Sequence, residues 1–226
     1  MKTEEKNFQL LKNLAINDGM NLFGVADISS TDLGFGQQYK YAISIGYRLS
    51  KSILETLIDG PNKIYYFHYQ RVNILLDLAA LKISSYIHNE GYDAFPVPAS
   101  QVINWGDINN YQERSLDSKF AISHKKIAYL AGLGWFGRNN LIVNPEYGSQ
   151  VRYASIITDM PLEANIELLK MSCGECKKCI TVCPAKAITE TGFDIKLCSA
   201  KLREFQKTRS LGHMVCGMCV KVCSKP

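Results

Sequence analysis

Cys173-Gly-Glu-Cys-Lys-Lys-Cys-Ile-Thr-Val-Cys-Pro184 is the stretch on which the reading of this chain turns. Three cysteines, each separated from the next by two residues, are followed after three intervening residues by a fourth that stands directly before proline. This spacing lets one loop wrap a 4Fe–4S cubane with its first three thiolates and send the fourth to a second cubane. Downstream, Cys216-Gly-Met-Cys-Val-Lys-Val-Cys223 has three cysteines where a full repeat has four. Cys198, alone between the runs, supplies the missing one. The swap assigns every cysteine: Cys173, Cys176, Cys179 and Cys223 to one cluster, Cys183, Cys198, Cys216 and Cys219 to the other. Paired Cys-x-x-Cys motifs also hold structural zinc. Zinc pairs do not need a third cysteine three residues on, nor a Cys-Pro, so the pattern favours two iron–sulfur clusters.

The eight cysteines all lie after residue 172. The N-terminus, Met1-Lys-Thr-Glu-Glu-Lys-Asn7, is charged and is not followed by a signal-type apolar run. The longest apolar runs fall well short of the ~20 residues a membrane span needs. A cytoplasmic protein with no membrane association is expected, and reduced cytosolic thiols point to metal rather than disulfides. Charge is also uneven. Lys170 to Pro226 holds 11 Lys/Arg against 4 Asp/Glu, while the whole chain has 26 against 21, a net +5. Two clusters carrying about −2 to −3 each with their thiolates would offset most of the basic excess of the tail. Nucleic acid is the less favoured explanation.

Upstream, apolar spacing predicts helices over 4–17, 64–90 and 125–133 and strands over 21–26, 41–47, 140–144 and 151–158. Phe95-Pro-Val-Pro-Ala99 must be extended, because its two prolines restrict themselves and their predecessors. Interleaved helices and strands make the expected fold class α/β (α+β): a layered N-terminal domain over 1–165, followed at 166–226 by a bacterial-ferredoxin-like double 4Fe–4S module. The aromatic run Tyr65-Tyr-Phe-His-Tyr69 reads as core packing, with His68 as a remote cofactor-ligand candidate.

Ala131-Gly-Leu-Gly-Trp-Phe-Gly-Arg-Asn-Asn140 has three glycines in six residues, which suits either a tight turn or close backbone approach to a ligand. Arg138 and Arg152 are candidate anion binders. The spacing is not a dinucleotide fingerprint. This stretch, together with Asn144-Pro-Glu-Tyr-Gly-Ser149, Ile157-Thr-Asp-Met-Pro-Leu162 and the four-one-three cysteine pattern, resembles the epoxyqueuosine reductase family over roughly residues 120–226. That family comprises cobalamin-dependent, double 4Fe–4S reductases acting on a tRNA nucleoside, related to reductive dehalogenases. The resemblance implies a corrinoid held by the α/β domain and reduced through the nearer cluster. It makes Lys125, Gly134, Trp135, Arg138, Asn139, Tyr147 and Arg152 the cofactor-binding candidates.

The family carries an Asp-Ser/Thr-Ala-Pro-x-x-Glu-Arg segment whose Asp is the expected proton donor. Ungapped alignment puts Ser118 at that Asp, Ala121 at the Pro and His124-Lys125 at the Glu-Arg. A short branch of the superfamily is therefore expected, with His124 as the first candidate proton donor and Asp117, one residue away, as the second. The family's helical-repeat segment beyond the cysteines has no counterpart before Pro226, so tRNA is not an expected partner. The expectation is an iron–sulfur oxidoreductase supplied by a ferredoxin or flavodoxin and delivering electrons to a small molecule or a corrinoid protein. The alternative is a ferredoxin-type carrier or corrinoid-reactivating protein with no substrate of its own.

Overall fold

The structure, a computed structural model, describes residues 2–30, 39–100, 122–165 and 167–224. The chain forms two compact units that alternate along the sequence: Met1–Tyr47, Asn73–Leu133 and Tyr153–Leu168 in the first, Arg48–Val72, Gly134–Arg152 and Leu169–Pro226 in the second.

The first unit is built on a four-stranded sheet of order β1-β2-β6-β3. Helix α1 (Thr3–Asn17) opens with Glu4 and Glu5 in its first turn, where carboxylates suit the positive helix terminus, and buries Leu11 and Ala15. Strand β1 (Leu22–Asp27) pairs antiparallel with β2 (Tyr41–Arg48), with Val25 opposite Ile43. Both strands are buried almost continuously rather than alternately, as strands covered on both faces are. Strand β3 (Ala94–Val97) pairs antiparallel with β6 (Val151–Thr158), setting Val97 opposite Ser155. Its Pro96 is tolerated because β3 is an edge strand, where a missing N–H need not interrupt the ladder.

Helix α3 (Lys63–Asn89) follows the expected apolar spacing, burying Val72, Leu76, Ala79, Ile83 and Ile87, and it closes at Gly91. It is preceded by α2 (Lys51–Glu55), which sequence patterning did not indicate. Helix α4 (His124–Leu130) is capped by Ser123, whose hydroxyl accepts from the Lys126 amide. It ends three residues earlier than expected, where the Leu133 amide turns back to the Ala128 carbonyl. Ile127 and Ala131 there pack with Ala26, Ala42 and Ile157 of the sheet.

In the second unit, β4 (Trp135–Phe136) and β5 (Ile142–Val143) form a two-stranded antiparallel ribbon, shorter than the strand expected over 140–144. Three helices carry cysteines: α5 (Lys178–Thr181), α6 (Ile195–Thr208) and α7 (Met218–Val222). Helices α5 and α7 pack on each other, and α2 packs on α7. Among the described residues no helix is long and apolar enough to cross a membrane.

Candidate iron–sulfur site

The two cysteine runs fold as related loops, each leading into a short helix. In the first, the Cys176 amide donates to the Cys173 carbonyl at 3.0 Å, and Cys179 follows on α5. In the second, Cys216 precedes α7 and Cys219 lies on it. Cys198 occupies the first turn of α6, whose start is held by Asp194 accepting from the Lys196 and Leu197 amides at 2.8 and 3.0 Å.

One cavity of the second unit is lined by Cys173, Cys176, Cys179 and Cys223, together with Trp135 and Asn139. Its four thiols come from both runs. Burial raises the pKa of Cys179, and the neighbouring Cys223, Cys173 and Cys176 add to the rise. The other cysteines neighbour one another. Cys216 is pushed up to about 11 by burial, with Cys198 and Cys183 contributing, and Cys219 is raised by burial, then by Cys216, Cys198 and Cys183, and last by Cys179 of the first group. A metal occupying either group must therefore displace thiol protons. Among the described residues no three His, Cys, Asp or Glu side chains converge on a single-ion site.

The glycine-rich stretch lies against these cysteines. At Gly134 a Cβ would run into the Val143 carbonyl, so the ribbon closes only on glycine. Trp135 is 3% exposed, and among the described residues its indole Nε1 has no hydrogen-bond partner. The Arg138 guanidinium donates to three carbonyls, those of Gly174 and Glu190 at 2.7 Å and of Cys176 at 3.3 Å. The fork read from sequence as an anion binder is thus engaged in holding the first cysteine loop. Asn139 is buried, donating to the Ser149 hydroxyl at 3.0 Å and accepting from the Leu141 amide. Arg48 stacks over the Tyr147 ring at 5.3 Å, and Arg152 over the Tyr69 ring at 4.1 Å. His68 accepts from the Ser50 amide through Nε2, and burial lowers its pKa.

Arg138→Lys is expected to lower the stability of the iron-loaded protein by about 1–2 kcal/mol, because one ammonium cannot span three divergent carbonyls. A denaturation midpoint equal to wild type would contradict that role for the fork.

In the first unit, His124 has both ring nitrogens engaged, Nδ1 with the Ser155 hydroxyl at 2.9 Å and Nε2 with the Pro98 carbonyl at 2.8 Å. A carbonyl only accepts, so Nε2 carries a proton, and in the neutral ring Nδ1 accepts from the Ser155 hydroxyl. Lys125 is half-buried on the first turn of α4. Asp117 and Ser118 lie outside the described residues. Strand alternation puts Tyr153 and Ser155 on the same face of β6 as Ile157, and Ser44 on the same face of β2 as Ala42. Ser44 Oγ and Tyr153 OH are buried with no hydrogen-bond partner among the described residues, and burial raises the Tyr153 pKa, keeping its hydroxyl a donor. Sequence reading did not single out these two hydroxyls; a lone serine inside the apolar strand Tyr41-Ala-Ile-Ser-Ile-Gly-Tyr47 was the available signal.

No family model matches the chain. An epoxyqueuosine reductase of Bacillus anthracis is 33% identical over 127 residues, covering 52% of this chain and 33% of that protein. One from Cyclobacterium marinum is 25% identical over 205 residues, covering 84% of this chain and 66% of that protein. The chain thus spans about one third to two thirds of the length of these curated relatives. Among solved structures, the catabolic reductive dehalogenase NpRdhA superposes with a TM-score of 0.76 at 18% identity, over 97% of this chain and 32% of that one. Epoxyqueuosine reductase from Streptococcus thermophilus gives 0.60 at 17% identity, over 96% and 65%. At such identities the structural likeness shows the shared fold. Sequence relatives and fold neighbours therefore both lie in the superfamily that the motifs of this chain resemble, that of epoxyqueuosine reductases and reductive dehalogenases.

Proposed function

We propose that this chain is an oxidoreductase passing low-potential electrons through two 4Fe–4S clusters to a substrate or corrinoid held by the α/β unit. Cys173, Cys176, Cys179 and Cys223 hold one cluster, and Cys183, Cys198, Cys216 and Cys219 the other. The observation that carries this reading is the cavity whose four thiols come from both runs, the set the sequence swap requires. Trp135, which lines the same cavity and whose buried indole N–H has no hydrogen-bond partner among the described residues, is compatible with a sulfur-rich occupant.

A corrinoid is the ligand proposed for the first unit; the buried hydroxyls of Ser44 and Tyr153, without hydrogen-bond partners among the described residues, are donors that its fringe of amides would satisfy. Such a group, when reduced, supplies a cobalt centre able to attack a substrate or transfer single electrons to it. The chain's own residues then have defined tasks. The cysteine loops hold the clusters, Arg138 fixes the first loop, and the polar row on the sheet face orients the ligand. His124 donates a proton only if its bond to the Pro98 carbonyl opens. A ferredoxin or flavodoxin is the electron source.

The test is an anaerobic titration of the reconstituted protein with cob(II)alamin followed by EPR. A change to a bound, base-off signal is the expected result. A free-cobalamin spectrum with both clusters intact would remove the corrinoid and leave a ferredoxin-type electron carrier.

A further inference from the structure

Among the described residues, the cavity lined by Cys173, Cys176, Cys179 and Cys223 has one buried side-chain donor without a hydrogen-bond partner. Its neighbours are already engaged: Arg138 holds three carbonyls, and Asn139 bonds Ser149 and the Leu141 amide. Lys178, which also lines the cavity, is exposed and hydrated. Trp135 is different. It is 3% exposed, and β4 is pinned in register with Trp135 opposite Val143, so the ring cannot swing out to water. An indole N–H is a donor only, and leaving one buried and unpaired costs about 1–3 kcal/mol. A phenylalanine would fill the same apolar space without that penalty. The adjacent Phe136, 44% exposed on the same short strand, marks 135 as the position turned inward.

We propose that the Trp135 indole N–H donates a hydrogen bond to a sulfur of the cluster held by Cys173, Cys176, Cys179 and Cys223, and thereby raises that cluster's reduction potential. The inference rests on the iron–sulfur reading above. Reduction adds one negative charge to the cluster, and a donor aimed at its sulfur stabilises the reduced form more than the oxidised form. Trp135 is thus a tuning residue that makes this cluster easier to reduce than its cysteines alone would allow. It takes no part in bond making at the substrate.

The experiment uses the full chain, wild type and Trp135→Phe, reconstituted anaerobically, with iron and acid-labile sulfide assayed before an EPR-monitored redox titration. Trp135→Phe is expected to keep its iron while the ratio of reduced to oxidised cluster at the wild-type midpoint falls about tenfold, a shift of roughly 59 mV for one electron. Equal midpoints at equal iron content would overturn the proposal. Wild-type protein that binds no iron would instead overturn the iron–sulfur reading. If Trp135→Phe fails to take up iron, pulsed EPR of the reduced wild type carrying indole-15N tryptophan decides the matter. The chain has two tryptophans. A 15N coupling that survives Trp105→Phe supports the bond, and absence of any coupling overturns it.

Discussion

Cys198→Ala is expected to lose about half of the bound iron, from roughly eight to roughly four atoms per chain. Cys198 stands outside both Cys-x-x-Cys runs, on the first turn of α6, yet it belongs to the electrostatic neighbourhood of Cys216 and Cys219. Its removal leaves three thiolates for one cubane and four for the other. The cavity lined by Cys173, Cys176, Cys179 and Cys223 contains no contribution from it. The measurement is iron and sulfide content with EPR of the reduced protein. The magnetic interaction between two reduced clusters should disappear, leaving the spectrum of one isolated cluster. Full retention of iron would break the ligand assignment. Loss of all of it would show that the two sites assemble only together.

Gly148→Ala is expected to have the second large effect, on a residue that is no ligand. Gly148 has φ of +60° and closes the turn in which its amide donates to the Asn144 carbonyl at 2.9 Å. An alanine there carries about 1–2 kcal/mol of left-handed strain. Its Cβ would also overlap the backbone carbonyl of Cys223. The neighbouring Ser149 amide donates to that same carbonyl at 3.0 Å, so the turn is what fixes the last cysteine. Together these effects should amount to several kcal/mol. The expected readout is selective: loss of the cluster that uses Cys223, with iron at the other site retained. Wild-type iron content and thermal midpoint in Gly148→Ala would refute the link. This contact also gives a physical reason for Asn144-Pro-Glu-Tyr-Gly-Ser149, which from sequence is only a family-like motif.

Similar reasoning applies to Arg138. An arginine among glycines reads equally well as an anion binder or as a backbone clamp, because the guanidinium serves both. The choice depends on whether carbonyls from Gly174, Cys176 and Glu190, some 36 to 52 residues away, converge on it. No local pattern contains that information. His124 is a comparable case. Its titration range recommends it for proton transfer, whereas its surroundings, Ser155 and the Pro98 carbonyl, engage both nitrogens.

Sequence alone determined the elements whose signals are short in range. Cysteine spacing, read with the ferredoxin-type swap of the fourth cysteine, proposes two four-thiolate sets, since a cubane needs four ligands and eight cysteines leave none over. The periodicity of α3 and the β-branched character of β2 and β6 specify those elements, because each depends on residues within a turn or a strand of one another. Tertiary structure decided what depends on association at long range. It brought Arg48–Val72 and Gly134–Arg152 into one unit with the cysteine tail. It turned Arg138 onto backbone carbonyls, and it left polar atoms of Trp135, Ser44 and Tyr153 buried without partners among the described residues. A missing partner cannot be read from a residue type. Whether a polar group is satisfied depends on everything that packs around it, and that is settled only when the whole chain has folded.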